Sequence, residues 1–137
     1  MARTILILGA GIGGISAARA LRDALPATDR VIVVEREASF VFAPSLLWLI
    51  TGDRRAKQIS RPIARVANHG LELVRGDIAK IDPARRDVVV DGRTLTGDFM
   101  VIALGAELAF DMIPGLARRG TRAIARRASR GSRSRSR

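Results

Sequence analysis

The sequence predicts an α/β fold built on a parallel sheet, and three observations predict it. Ile5-Leu6-Ile7-Leu8 is a short, uninterrupted apolar run. It passes directly into Gly9-Ala10-Gly11-Ile12-Gly13-Gly14 and then into an Ala-rich stretch with apolar residues at helical spacing. A second apolar run, Val31 to Val34, ends on Glu35, 21 positions after Gly14. Strand, glycine turn, helix, strand and acid in that order describe a βαβ unit with a nucleotide-type turn.

Each part of that unit has a mechanical reason. Gly9 lets the chain leave the first strand in a tight turn, Gly11 allows a pyrophosphate to approach the backbone, and Gly14 lets the helix pack closely on the sheet. Free N–H groups at the helix start, with the positive end of its dipole, suit phosphate. Glu35 can accept hydrogen bonds from a ribose 2′-hydroxyl and repels a 2′-phosphate, which points to FAD or NAD over NADP. The reading is therefore a Rossmann-like FAD/NAD(P)-binding domain.

The remaining elements follow in chain order. Ile15, Ala18, Leu21 and Leu25 form the buried stripe of the first crossover helix, with Arg19 and Arg22 on its other face and Pro26 closing it. Val31 to Val34 is apolar and β-branched throughout, which suits a parallel strand covered on both sides. Arg36 reads as lying over an adenine, pairing with a neighbouring acid, or standing in solvent. Phe40 to Ile50 holds three of the five aromatic residues. Pro44 is expected to start a short helix there and Gly52 to follow its end. That stretch reads either as a helix packed on the domain or as a surface facing a ligand ring or another part of a larger protein.

Ser60 is expected to cap a further helix with Pro62 in its first turn, Ile63, Val66 and Ala67 on its buried side, and His69-Gly70 at its end. Leu71 to Val74 reads as a third strand leading to Gly76-Asp77-Ile78. The period then changes. Ile81-Asp82-Pro83, Val88 to Val90, the Asp91-Gly92 turn and Arg93-Thr94-Leu95 predict a small antiparallel β-meander, used as a crossover where a helix would be usual. Phe99 to Leu104 predicts another buried strand, running into Gly105.

Charge is unevenly placed. The formal total is +11, but residues 118–137 hold nine arginines and no acid, leaving 15 basic against 13 acidic residues before them. The body is nearly neutral. The predicted organisation is a domain over residues 1–117 and a disordered Arg/Ser-rich tail over 118–137, since the tail has too little apolar surface to offset its ordering entropy. Such a tail binds polyanions non-specifically through salt-sensitive phosphate contacts, and lacks aromatic residues for base stacking. The abrupt composition change after Pro114-Gly115-Leu116 also fits a non-native reading frame.

With no cysteine and one histidine, these residues exclude a disulfide scaffold, thiolate-ligated metal and thiol–disulfide chemistry within the chain. No metal site and no catalytic residue is predicted. Arg3 followed by an apolar run superficially resembles a secretory leader, but four glycines interrupt it. No run reaches the roughly 18 apolar residues of a membrane span. The setting expected is cytoplasmic.

Residues 3–116 resemble the N-terminal part of the FAD-dependent pyridine nucleotide–disulfide oxidoreductase superfamily. They are most similar to its sulfide:quinone oxidoreductase and flavocytochrome c sulfide dehydrogenase branch, near the type II NADH dehydrogenases. The residues that carry this are Ile7 to Ala18, Val34-Glu35-Arg36, Phe40 to Ser45, Ile59 to Pro62, Gly76-Asp77-Ile78 and Asp98 to Gly105. The resemblance implies that Gly9, Gly11 and Gly14 hold the FAD pyrophosphate and Glu35 the adenosine ribose. It places the backbone of Ile78 at the adenine edge, Pro44 and Ser45 toward the flavin, and Gly105 at the end of an Ala-Thr-Gly motif, where Leu104 replaces the threonine.

The resemblance implies an oxidoreductase that passes two electrons from sulfide or a similar donor through FAD to quinone or cytochrome, at the inner membrane face if peripheral. Members are much longer than this chain. The missing C-terminal portion, or a complementary subunit, is therefore an expected partner, and this chain alone is expected to be catalytically incomplete. No thiol is present to accept sulfur. The alternatives are a stand-alone NAD-binding module or completed subunit, a nucleic-acid binder acting through the tail, and a chain without stable function whose Phe40–Ile50 surface drives aggregation.

Overall fold

The computed structural model describes residues 1–66, 68–106, 109 and 112. The predicted burial of Val66 and Ala67, the Pro114-Gly115-Leu116 end and the tail beyond it lie outside the described side chains or residues. The chain divides into two units, Met1–Phe40 with Arg61–Gly105, and Val41–Ser60 with Ala106–Arg137.

In the first unit, β1 (Thr4–Leu8), β2 (Arg30–Glu35), β5 (Glu72–Arg75) and β9 (Phe99–Ile102) form a four-stranded sheet in the order β5-β2-β1-β9. All three pairings are parallel. Continuous apolar runs are explained by what covers each face, because successive side chains point to opposite sides. Ile5, Ile7, Val31 and Val33 pack with Ile15 and Ala18 of α1 (Ile12–Ala24), joined by Leu21 and Leu25. Leu6, Leu8, Ile32 and Val34 pack on the opposite side with Val88 and Val90. Those two valines belong to the meander of β6 (Ile78–Asp82), β7 (Asp87–Val90) and β8 (Arg93–Thr96). Helix, parallel sheet and antiparallel sheet therefore make three layers around β1 and β2. Burying each such aliphatic side chain contributes about 1.5–3 kcal/mol.

The meander forms as its turn residues require. Asp91 and Gly92 both have positive φ (46° and 79°), the pair of left-handed residues that a two-residue hairpin turn needs. Arg86, at φ 58°, closes the β6–β7 connection.

Two expectations are corrected. Ser60 does not cap the start of a helix. Its hydroxyl donates back to the Ala56 carbonyl at 2.8 Å, ending α3 (Ala56–Ile59), and residues Ser60–Pro62 are β4, before the short α4 (Ile63–Val66). Ile63 is buried as expected, whereas His69 lies beyond the helix at φ 79°, next to Gly70 at φ 78°. The second correction concerns β9. It pairs with β1 but is not a buried strand, with Phe99 53% and Ile102 52% exposed. No further strand pairs with it among the described residues.

β3 (Ser39–Val41) pairs with β4 as a two-stranded sheet. In the second unit, Pro44 sits in a 3-10 turn (Ala43–Ser45) that leads into α2 (Leu46–Thr51), and Gly52 ends it in the left-handed conformation at φ 84°. The predicted helix is there, but α2 contains no buried residue, and Leu47, Trp48 and Ile50 are exposed. The Arg54 guanidinium lies 4.6 Å from the Trp48 ring centroid. Among the described residues no helix is long and apolar enough to cross a membrane.

Candidate functional site: the carboxyl end of the parallel sheet

The glycine turn lies where β1 gives way to α1. Gly9 has φ 97°, and a Cβ there would collide with the Ala103 carbonyl. This position therefore needs glycine twice over, for its backbone and for its neighbour. A Cβ on Gly14 would strike the Gly9 carbonyl, so the helix can sit this close to the turn only without a side chain. Gly11 differs. Its backbone is extended (φ −69°, ψ −173°) and a Cβ would meet nothing within 4 Å. The chain's own packing therefore does not require glycine at 11.

α1 begins at this turn with no side-chain cap and no acid in its first turn. Its leading N–H groups are thus left for an external acceptor. Glu35, at the end of β2, closes the arrangement. One carboxylate oxygen accepts from the Ala10 N–H at 2.7 Å, and the other accepts from the Glu37 N–H at 2.8 Å. Each oxygen keeps a further lone-pair direction for another donor. The acid and the turn, predicted from a 21-residue separation, are in direct contact.

The neighbouring strand ends complete the rim. Gly76 donates to the Glu35 carbonyl at 3.2 Å, and the Asp77 N–H donates to the Asp91 carboxylate at 3.0 Å. Arg36, Arg75, Gly76, Asp77 and Asp91 line a depression of about 260 Å³. Arg36 pairs with Glu37 at 3.6 Å, with both side chains mostly exposed, and its carbonyl accepts from Arg75 Nη2 at 2.9 Å. Ile78 opens β6 opposite Val90, at an irregularity in the ladder. Gly105, at φ 74°, follows Ala103 and Leu104, and the Leu104 Cα is 3.1 Å from the place a Gly9 Cβ would occupy. Gly9, Gly11, Gly14, Glu35, Arg36, Ile78 and Gly105 thus belong to the first unit. Pro44 and Ser45 stand in the second, where Ser45 is buried and its N–H donates to the Phe42 carbonyl at 2.9 Å.

Sequence reasoning passed over the groups that hold the opposite end of the sheet. Asp29 is only 3% exposed and accepts from the Arg3 backbone N–H at 3.0 Å and from Arg3 Nε at 2.9 Å. The Arg3 backbone hydrogen bond holds its carboxyl below the usual range despite burial, helped by the charges of Arg3 and Arg22. Arg22 in turn donates to the Asp29 carbonyl at 2.5 Å and to the Leu25 carbonyl at 3.0 Å, closing the helix end. The one available signal was an acid immediately before the second strand, with arginines before the first strand and late in the helix.

The fold and this rim define an α/β dinucleotide-binding domain. A family pattern described as pyridine nucleotide-disulphide oxidoreductase matches residues 3–133. The chain belongs to that family. It is 31% identical over 112 residues to the sulfide-quinone reductase of Aquifex aeolicus, covering 80% of this chain and 26% of the relative. It is 28% identical over 116 residues to the mitochondrial sulfide:quinone oxidoreductase of Mus musculus, covering 82% of this chain and 25% of the relative. The solved structure of the sulfide:quinone oxidoreductase from Aquifex aeolicus superposes with a TM-score of 0.71 at 28% identity, over 80% of this chain and 26% of that one. The chain spans about a quarter of the length of these relatives. Family membership and a glycine turn, open helix start and acid that fit the group together support an FAD-binding cofactor site.

Proposed function

We propose that this chain is the FAD-binding portion of a flavin-dependent oxidoreductase, with residues 1–117 as its partial nucleotide domain. The observation that carries the reading is the hydrogen bond between Glu35 and the Ala10 N–H inside the glycine turn, beside an uncapped helix start. In this reading the N–H groups following Gly11 hold the pyrophosphate, Gly9 and Gly14 keep the turn tight enough to present them, and Glu35 binds the adenosine ribose. Arg36 and the Ile78 backbone border the adenine, Gly105 lies near the cofactor, and Pro44 and Ser45 lie toward the flavin side.

Bound FAD supplies two-electron transfer, and the chain's part is to hold and orient it. Similarity to two sulfide:quinone oxidoreductases supports sulfide or a similar reduced compound as donor and quinone or a cytochrome as acceptor. The donor and acceptor sites would come from a further polypeptide portion or a complementary subunit, since the chain covers about a quarter of those relatives and contains no cysteine.

Calorimetric titration of the folded chain with FAD and with NAD tests this. Saturable FAD binding, tighter than NAD, is expected, with flavin absorbance retained after desalting. Glu35→Gln, which loses a charge-assisted acceptor, should weaken FAD about 10- to 100-fold. Failure of well-folded protein to bind either nucleotide would refute the reading, and a preference for NAD would turn it into an NAD-binding module.

A further inference from the structure

The rim of the candidate site is joined to the meander through Asp91. This residue opens the turn between β7 and β8 at φ 46° and takes both backbone groups of Asp77. The Asp91 N–H donates to the Asp77 carbonyl at 3.1 Å, and the Asp91 carboxylate accepts from the Asp77 N–H at 3.0 Å. An antiparallel ladder would fill the second place with a backbone carbonyl, and here a side chain fills it.

Gly76 leaves the room for this contact. A Cβ on Gly76 would collide with the Asp91 carboxylate and with the buried Val90 side chain. The Gly76 N–H donates to the Glu35 carbonyl at 3.2 Å. Residues 76 and 77 are thus fixed on one side to the strand end that carries the acid and on the other to the meander turn. Successive backbone groups along a strand point to opposite edges. With both groups of Asp77 turned toward Asp91, the N–H and C=O of Ile78 turn the other way, and β6 is the outer strand of its three-stranded sheet.

We propose that Asp91 is a positioning residue that sets the base preference of the nucleotide site. By holding Asp77 it aims the N–H and C=O of Ile78 at the edge of an adenine, an inference that rests on the adenine placement in the proposed function. Adenine offers an acceptor beside an amino donor on that edge, which one backbone N–H and one C=O satisfy together. Guanine carries a carbonyl acceptor where adenine has its donor, so the same backbone pair meets it mismatched. Asp91 acts through Asp77 and touches no part of the base. A turn residue without this role would matter to the hairpin alone, and substitution separates the two cases. Asp91→Gly keeps a residue suited to positive φ and removes the carboxylate, whereas Asp91→Asn keeps both the turn preference and an oxygen acceptor.

Titration of the full chain with ADP and with GDP tests it. The wild type should bind ADP more tightly than GDP. Asp91→Gly should cut that preference at least about threefold in folded protein, and Asp91→Asn should keep it. Hydrogen exchange at the Asp77 amide of the unliganded chain should speed up in Asp91→Gly and not in Asp91→Asn. Gly76→Ala, whose methyl takes the place of the carboxylate, should reproduce the loss of preference, and it decides if Asp91→Gly does not fold. A preference unchanged in folded Asp91→Gly, or lost equally in Asp91→Asn, overturns the proposal and leaves the nucleotide site standing. So does a wild type that binds FAD but shows no preference for ADP. A folded wild type that binds no nucleotide overturns the proposed function itself, and this proposal with it.

Discussion

The two ends of the parallel sheet use their polar groups in opposite ways. At the amino end, Asp29 binds Arg3, Arg22 closes the helix onto the Asp29 carbonyl, and the Thr4 N–H donates to Asp98 at 2.7 Å. That end is satisfied internally. At the carboxyl end, the helix start has no cap, Gly11 faces open space, and Glu35 is held in place with lone pairs to spare. The difference teaches that one end of the same three-layer unit is built for cohesion and the other for an external ligand. Substitutions at the two ends should therefore separate stability from binding.

The largest expected effect is at the carboxyl end, at the residue there that serves packing. Gly14→Val forces a side chain into the Gly9 carbonyl and should destabilise the unit by about 3 kcal/mol or more, read by chemical denaturation. Next is Glu35→Lys, which replaces the acceptor at Ala10 with a cation. It should lower FAD affinity at least about 100-fold in a titration of folded protein.

Gly11→Ala sharpens the comparison because its two effects have opposite sign. The backbone there suits alanine and the space is open, so stability should hold or rise by about 0.4–1 kcal/mol, while the methyl obstructs the phosphates and weakens FAD binding. Equal losses of stability and affinity would break the distinction between the two ends.

Asp29→Asn should lower the thermal midpoint by less than Gly14→Val and leave FAD affinity unchanged. Its pH dependence has a definite sign. The Asp29 carboxyl is held below its ordinary value in the folded state, so its stabilising contribution is complete above about pH 4. It is lost as pH falls through the depressed folded value. The variant's stability should therefore fall less steeply in acid than the wild type's. Glu72, lowered by its hydrogen bonds to Arg30, acts in the same direction, but the pair is exposed and contributes at most about 1 kcal/mol.

Much of the carboxyl end was legible in the sequence because its signals are local. A strand that becomes a helix through Gly9, Gly11 and Gly14, and an acid one βαβ unit later, fix a contact by chain geometry alone. The Asp91-Gly92 turn and the valines before it announced the meander in the same way. The amino end was not legible, because Arg3, Arg22 and Asp29 meet only once the helix returns beside the sheet, and no spacing rule links them. The exposure of β9 was misjudged for a related reason. An apolar run of four residues looks the same in a central strand and at an edge, and only the strand order tells them apart. Ser60 misled because a serine before a proline satisfies a capping pattern, while its hydroxyl found the Ala56 carbonyl behind it instead.

Backbone nuclear magnetic resonance of the folded chain during an FAD titration tests the account most directly. Saturable shifts are expected at the Ala10 to Gly14 amides and at Glu35 and Glu37, with the amides of Arg3, Thr4 and Asp29 still. Shifts that begin at the amino end, or none at all at high FAD on folded protein, would contradict the division of the sheet into a cohesive end and a binding end.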